Sequence, residues 1–359
     1  MTQRTHILQR KGRGAASNLS GRFEAHSKEA FDDGWGAIDD DLPPLETEVA
    51  IDASRTVIAR NSSPDIPFDR SINPYRGCEH GCVYCFARPT HAWLGLSPGQ
   101  DFESKLLMKP DAAVLLRQEL ARPGYRPRVI ALGTNTDPYQ PIERTHGITR
   151  QILEVLSDCR HPVGIVTKSA LIARDADILG PMAQQRLARA YISITTLDRD
   201  LARRMEPRAP TPAKRLKAIE ALSRAGVPVG VMFAPIIPGL NDHEMEAVLQ
   251  AASDAGARTG SYVLLRLPLE IKDLFTEWLE AHYPDRAERV MTLVRDCRGG
   301  RAYDSQWGKR MKGSGPFADM VARRFAMACR RSGLDKRSWE MDTTLFRKPA
   351  ADADQLALL

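Results

Sequence analysis

The chain has 359 residues, 43% of them hydrophobic, which suits one large α/β domain with extensions or two ordinary domains. No apolar run approaches the ~18 residues of a membrane helix, and Met1-Thr-Gln-Arg-Thr-His6 has no apolar segment after its charge, so membrane and secretory classes are set aside. The net charge of +6, with a pI of about 9.0, permits a polyanionic partner without requiring one.

Residues 1–60 hold neither a helical nor a strand period. A basic, glycine-rich piece at 10–16 gives way to acidic residues at 39–41 and 46–48, and the expectation is an irregular arm, disordered at its start. Residues 56–59 suit one extra strand. From 71 onward apolar strands alternate with amphipathic helices: strands at 71–77, 128–133, 162–167, 190–195, 227–233 and 261–267, with helices at 111–122, 145–159, 175–189, 211–226 and 242–256. Such alternation implies parallel pairing with right-handed crossovers. Six units close either an open doubly wound sheet or an incomplete barrel. A cysteine-rich loop directly after the first strand favours the barrel, because parallel sheets carry their chemistry at the C-terminal strand ends. Helices at 269–279 and 286–297, a Gly- and Arg-rich loop at 298–315 and a helix at 316–331 follow. The expected organisation is an arm (1–60), an α/β core forming an incomplete parallel (β/α)6 barrel (61–270), a helical, basic C-terminal extension (271–345) and an Ala-rich tail (346–359).

Three of the six cysteines stand in Cys78-Glu-His-Gly-Cys82-Val-Tyr84-Cys85, a C-x3-C-x2-C spacing. A loop of this kind can set three thiolates against one face of a [4Fe-4S] cube and leave the fourth iron without a protein ligand. Zinc is the competing metal, and its fourth ligand would be His80 or His91. Free thiols in a cluster loop need a reducing compartment, so the cytoplasm is the expected location. Cys159, Cys297 and Cys329 fall within helical patterns and read as buried structural thiols. His80, Arg88, His91 and Glu103 lie close enough to the loop to pin it by hydrogen bonds or to shape a cavity. Arg76 and Glu79 read as exposed or ion-paired.

The motif, with Tyr84 before its last cysteine, resembles the radical S-adenosylmethionine (SAM) superfamily. The resemblance implies a barrel of radical SAM type, a [4Fe-4S] cluster on Cys78, Cys82 and Cys85, SAM bound beside it, and a reductant such as flavodoxin or ferredoxin. The other strand ends are then candidate SAM contacts: Thr136 and Asp137 after strand two, Lys168 after strand three, Ser193 and Thr195 after strand four, and the apolar turn at Pro235 after strand five. The cysteine loop, Thr167-Lys168 and the turn 235–242 further resemble the spore photoproduct lyase-like (DNA repair photolyase-related) branch. Asn73-Pro-Tyr-Arg-Gly-Cys78, Thr90-His91 and Asp101-Phe-Glu103 are similar to an uncharacterised bacterial subgroup of it. One departure stands out. That branch carries, near the end of strand two, a cysteine that returns a hydrogen atom, and Gly133-Thr-Asn-Thr136 has none. Direct reversal of thymine dimers by that route is therefore not expected.

For the substrate, 295–337 carries twelve Lys and Arg against four Asp, interleaved with Tyr303, Trp307 and Phe317. Cations track phosphate and rings stack bases, so a nucleic acid or nucleotide is one expectation. A peptide or small metabolite within the same enzyme class is a second, and a non-catalytic iron–sulfur binding or sensing protein a third.

Overall fold

A computed structural model of the chain describes residues 12–24, 44–335 and 340–349. The basic pair at 10–11, the acidic run at 39–41, Lys336, Arg337 and the tail beyond 349 lie outside the described residues.

The described strands are β1 (Glu48–Ile51), β2 (Ile58–Arg60), β3 (Arg70–Ile72), β4 (Tyr75–Arg76), β5 (Lys105–Met108), β6 (Ile130–Leu132), β7 (Val163–Thr167), β8 (Ala188–Ser193), β9 (Val229–Ile236) and β10 (Thr259–Leu264). Seven form one sheet in the order β10-β9-β8-β7-β6-β3-β2. From β3 to β10 every pairing is parallel and the strands follow chain order, as expected of a partial (β/α)6 barrel. Only β2, the strand anticipated near 56–59, runs antiparallel, on the outer side of β3. Along β7, buried Val163, Ile165 and Thr167 alternate with half-buried Gly164 and Val166, so each strand presents one face to the interior.

Helices cross back between the strands. After α1 (Asp101–Ser104), α2 (Ala112–Ala121) leads to β6, and α3 (Glu143–His146) and α4 (Ile148–Asp158) lead to β7. The single helix expected at 145–159 breaks at Gly147, which adopts a left-handed φ of 62°. In α4, Ile148, Ile152, Val155 and Leu156 form the apolar stripe that covers the sheet. Then α5 (Ala176–Gln184), α6 (Arg199–Met205), α7 (Pro212–Arg224) and α8 (Met245–Asp254) complete the outer layer. Beyond the barrel, α9 (Ile271–His282) and α10 (Pro284–Asp296) build a second core with the cysteine loop, in which Phe275, Trp278 and Val290 pack near Val83 and Tyr84. The last helix, α11 (Pro316–Arg331), lies against α8.

The first strand departs from the expectation. The run 71–77 is not one strand: β3 stops at Ile72, and β4 pairs antiparallel with β5 in a separate three-stranded sheet, β1-β5-β4. Pro74, which has no N–H to donate to a ladder, marks the break. The small sheet positions the cysteine loop on the floor of the barrel mouth, with the Cys78 N–H donating to the Phe102 carbonyl (2.9 Å).

Candidate active site at the barrel mouth

Cys78 and Cys82 are buried and Cys85 half-buried, all as free thiols. Their loop is held by two side chains that ordinary water exposure would not favour inside a protein. Arg88, fully buried, donates through Nε to the Cys82 carbonyl (2.9 Å) and through Nη1 to the Pro98 (3.1 Å) and Gly99 (2.8 Å) carbonyls. Its remaining nitrogen pairs with Glu103, also fully buried. Glu103 in turn accepts the Gly14 (2.9 Å) and Ala15 (2.8 Å) amides, so the segment 12–24 is fastened over the loop. The fit is close, because a Cβ on Gly14 would fall 1.7 Å from the Gly81 carbonyl oxygen. Gln140 brackets the entry to the loop, accepting from the Glu79 N–H (2.9 Å) and donating to the Gly77 carbonyl (3.1 Å). Glu79 is buried and ion-paired to Arg208 (2.9 Å), while Arg76 is exposed and paired to Asp52 (2.6 Å). His91 Nε2–H donates to the Lys105 carbonyl of the small sheet (2.8 Å), which makes it a pin.

The strand ends face this loop. Asp137, after β6, accepts from the Thr167 hydroxyl (2.6 Å), the Lys168 N–H (2.8 Å) and the Tyr139 N–H (2.9 Å), and lies 3.4 Å from His80 of the loop. Burial would push its carboxyl up, but His80 and these hydrogen bonds outweigh it and hold it down at about 2. Asp137 therefore welds β6, β7 and the cysteine loop together. Thr136 is buried and its hydroxyl donates to the Tyr75 carbonyl (2.8 Å), holding the turn. Lys168 reaches across the mouth, with its Nζ 5.5 Å from the Tyr84 ring centroid. Ser193 closes β8, and its carbonyl accepts from Arg215 (3.1 Å). Pro235, expected in the turn after strand five, lies within β9, which runs on to Ile236, and the turn that follows is shaped by buried Asn241: its amide donates to the Pro235 (3.0 Å) and Thr195 (2.8 Å) carbonyls and its oxygen accepts the Ile237 N–H (2.6 Å).

A second buried network lies behind Tyr84. The Tyr84 and Thr195 hydroxyls and the Arg215 guanidinium all converge on the Glu206 carboxylate. Burial opposes the charge on Glu206, yet Arg215 and then Lys168 hold its carboxyl down at about 2. Glu206, Arg215 and Asn241 were not singled out in the sequence, whereas Arg88 and Glu103 had a signal, their nearness to the loop. Glu206 and Arg215 stand nine residues apart between β8 and β9, and only the fold brings Tyr84 of the cysteine loop onto them.

The donor set fits an iron–sulfur cluster. Three free thiols from one loop lie with no disulfide among them. Burial pushes the Cys82 thiol up to about 12, with Lys168 the main opposing charge, so ionised sulfur at this depth calls for a bound metal's charge. Among the described residues no three His, Cys, Asp or Glu side chains have the spacing of a single-ion site. A cluster takes one thiolate at each of three irons, so donor chemistry carries the fit.

Of the cations expected to form a basic face, several serve the fold. Arg298, buried, donates to the carbonyls of Leu264 (3.2 Å), Leu265 (2.8 Å), Lys309 (2.9 Å) and Arg310 (2.9 Å). Arg310 pairs with Asp65, and Arg324 with Glu246 (2.7 Å) of α8. Phe317 packs against the core, whereas Trp307 is 58% exposed. Cys159, Cys297 and Cys329 are buried in the main hydrophobic core and take no place in the cysteine loop.

An incomplete parallel barrel with a three-cysteine loop just beyond its first strand and polar groups at the strand ends that face it defines an enzyme of SAM-dependent radical chemistry. The radical SAM superfamily profile matches residues 72–252, and the chain belongs to that superfamily. An uncharacterised protein of Mycobacterium tuberculosis is 38% identical over 232 residues, 64% of this chain and 68% of that one. An uncharacterised protein of Methanocaldococcus jannaschii is 28% identical, over 61% of this chain and 78% of its own. Spore photoproduct lyase complexed with dinucleoside spore photoproduct shares the fold at a TM-score of 0.57 and 16% identity, covering 79% of this chain and 78% of the other. A variant of that lyase with bound AdoMet gives a TM-score of 0.52 at 15% identity, over 79% and 77%. Among the described residues no helix is long and apolar enough to cross a membrane.

Proposed function

We propose that Cys78, Cys82 and Cys85 hold a [4Fe-4S] cluster, that SAM binds beside it against the ends of β6 to β9, and that the substrate is a nucleic acid or nucleotide. When bound and reduced, by a donor such as flavodoxin or ferredoxin, this pair supplies a 5′-deoxyadenosyl radical that removes a hydrogen atom from the substrate. The residues of the chain orient and seal. Lys168, free of any ion pair among the described residues, offers a cation to the SAM carboxylate, and its place over Tyr84 is the observation that carries this reading. Ser193 and Pro235, both buried, line the nucleoside side. Thr136 acts through the turn it holds, so the backbone after β6 faces the methionine ammonium. The Glu206–Arg215 pair keeps Tyr84 upright under Lys168 and keeps water from the loop.

For the substrate, support comes from exposed Arg301, Lys309, Lys312 and Trp307 on the loop beside β10. It comes also from the dinucleoside in the similarly folded lyase. The test is anaerobic reconstitution followed by iron and sulfide analysis, and SAM cleavage under dithionite. Wild type should bind about four irons per chain and release deoxyadenosine, and Cys82→Ala should do neither. A chain that takes up a single zinc ion, or iron with intact SAM, contradicts the proposal.

A further inference from the structure

Resting on that reading, we infer that Arg266 and Phe86 form a subsite for a phosphate ester of a nucleotide substrate. Arg266 follows the end of β10, the sixth parallel strand, and Phe86 follows Cys85. The guanidinium carbon stands 4.8 Å from the Phe86 ring centroid, so the two residues meet where the cysteine loop faces the last strand.

The guanidinium is unusual in its partners. Its Nε is buried and has no hydrogen-bond acceptor, and its Nη1 reaches only the Met311 sulfur (3.4 Å). Among the described residues no carboxylate is within ion-pair distance of it. The acidic neighbour whose carboxyl feels the Arg266 charge, Asp65, is taken by Arg310 and the Gly308 N–H (2.6 Å). A partly desolvated cation without a counter-charge is costly, and a guanidinium fork matches an oxyanion. The backbone on both sides is fixed by Arg298, which holds the Leu264 and Leu265 carbonyls and the Lys309 and Arg310 carbonyls together. The fork is thereby preorganised before any ligand arrives.

The surroundings select phosphate over carboxylate. The loop 299–315 runs from β10, where the Leu264 N–H donates to the Met311 carbonyl (2.9 Å), to the turn at Asp65 beside β2. It therefore joins the two edge strands of the sheet and carries exposed Arg301, Lys309 and Lys312. Phe86, 42% exposed, and Trp307, 58% exposed, add aromatic faces beside these cations. Cations in a row with interleaved rings suit a sugar–phosphate chain with stackable bases better than an isolated carboxylate.

The test is fluorescence anisotropy of a labelled single-stranded hexadeoxynucleotide with the full-length chain. Competitors are its uncharged methylphosphonate analogue, thymidine 5′-monophosphate and an acidic hexapeptide. Wild type should bind with a marked salt dependence, and Arg266→Gln should lose about tenfold or more and flatten the salt slope by about one. Arg224→Gln, on the exposed face of α7, should bind as wild type. Displacement by the mononucleotide at similar concentration identifies a free nucleotide as the ligand, and its failure to displace identifies a chain. Equal binding by Arg266→Gln and wild type overturns the inference, as does displacement by the acidic peptide as effective as by the oligonucleotide. Should Arg266→Gln melt well below wild type, Arg266→Lys carries the test, with a loss of about fivefold expected from the missing planar fork. SAM cleavage by the wild type in the same preparation reports on the proposed reaction separately.

Discussion

Arg88 and Glu103 illustrate how single residues hold the cysteine loop. Both are fully buried, and the pair is joined to the Cys82 carbonyl on one side and to the Gly14 and Ala15 amides on the other. Removing one member leaves the other as an uncompensated charge, so Arg88→Met should cost about 3–5 kcal/mol of stability, read from urea unfolding. Arg88→Met with Glu103→Leu should recover part of that loss, because no lone charge remains. Unchanged unfolding in Arg88→Met would show that the pair is not what anchors the loop. At this scale the place of Lys168 at a strand end beside the cysteine loop was legible in the sequence, since a charged residue ending an apolar strand seldom faces the core without a partner. Glu206 and Arg215 were not, because each is an ordinary charged residue until tertiary contact buries them together.

Elements meet the site through tight turns. Gly77 has a φ of +76°, and a Cβ there would fall 2.6 Å from Leu106 Cδ2 and 2.8 Å from the Phe102 carbonyl oxygen, both in the α1–β5 region. Gly95 has a similar φ of +68° but nothing within 4 Å. Gly95→Ala should therefore show only the backbone strain, about 1 kcal/mol. Gly77→Ala should lose about 2–3 kcal/mol and bind less iron after reconstitution; equal iron content in the two variants would refute the close packing. The β9 turn offers a parallel case. Asn241→Ala would strip acceptor and donor from the buried Ile237, Thr195 and Pro235 backbone groups, and a loss of about 2–4 kcal/mol is expected in thermal melts. Six βα steps were legible from apolar runs and helical stripes. The split of the first strand into β3 and β4 was not, because it depends on β1 and β5, whose short sequences show no period of their own.

Across the whole molecule, the far end of the barrel is closed by the segment 340–349. Phe346 packs on His161 and Tyr125 (ring centroids 5.4 and 5.5 Å), and the Arg347 N–H donates to the Cys159 carbonyl (2.8 Å). His161 Nδ1–H donates to the Pro162 carbonyl (3.1 Å), so in the neutral ring Nε2 accepts from the Tyr125 hydroxyl (2.8 Å). Burial, with Arg70 nearby, holds this imidazole down at about 4 against the opposing Pro162 carbonyl. The unfolded chain then binds more protons at His161 than the folded one between about pH 6.5 and 4. Its contribution is fully present above pH 6.5 and lost as pH falls to 4, on the order of 3 kcal/mol. Urea unfolding of wild type and His161→Phe across that window should show the wild type falling more steeply. Parallel curves would mean that His161 does not carry the dependence.

The spacing of the three cysteines proposed to hold the cluster and the order of the parallel strands were determined by the sequence itself. Ligand spacing within eight residues is a local property, and apolar periodicity with right-handed crossovers leaves few topologies. The fastening of 12–24 over the loop, the Glu206–Arg215 pair under Tyr84 and the unpaired fork of Arg266 were decided only by tertiary structure. Each depends on groups distant in the chain becoming buried together, and burial, which turns an ordinary charge into an anchor or a binding group, is a property of the assembled fold.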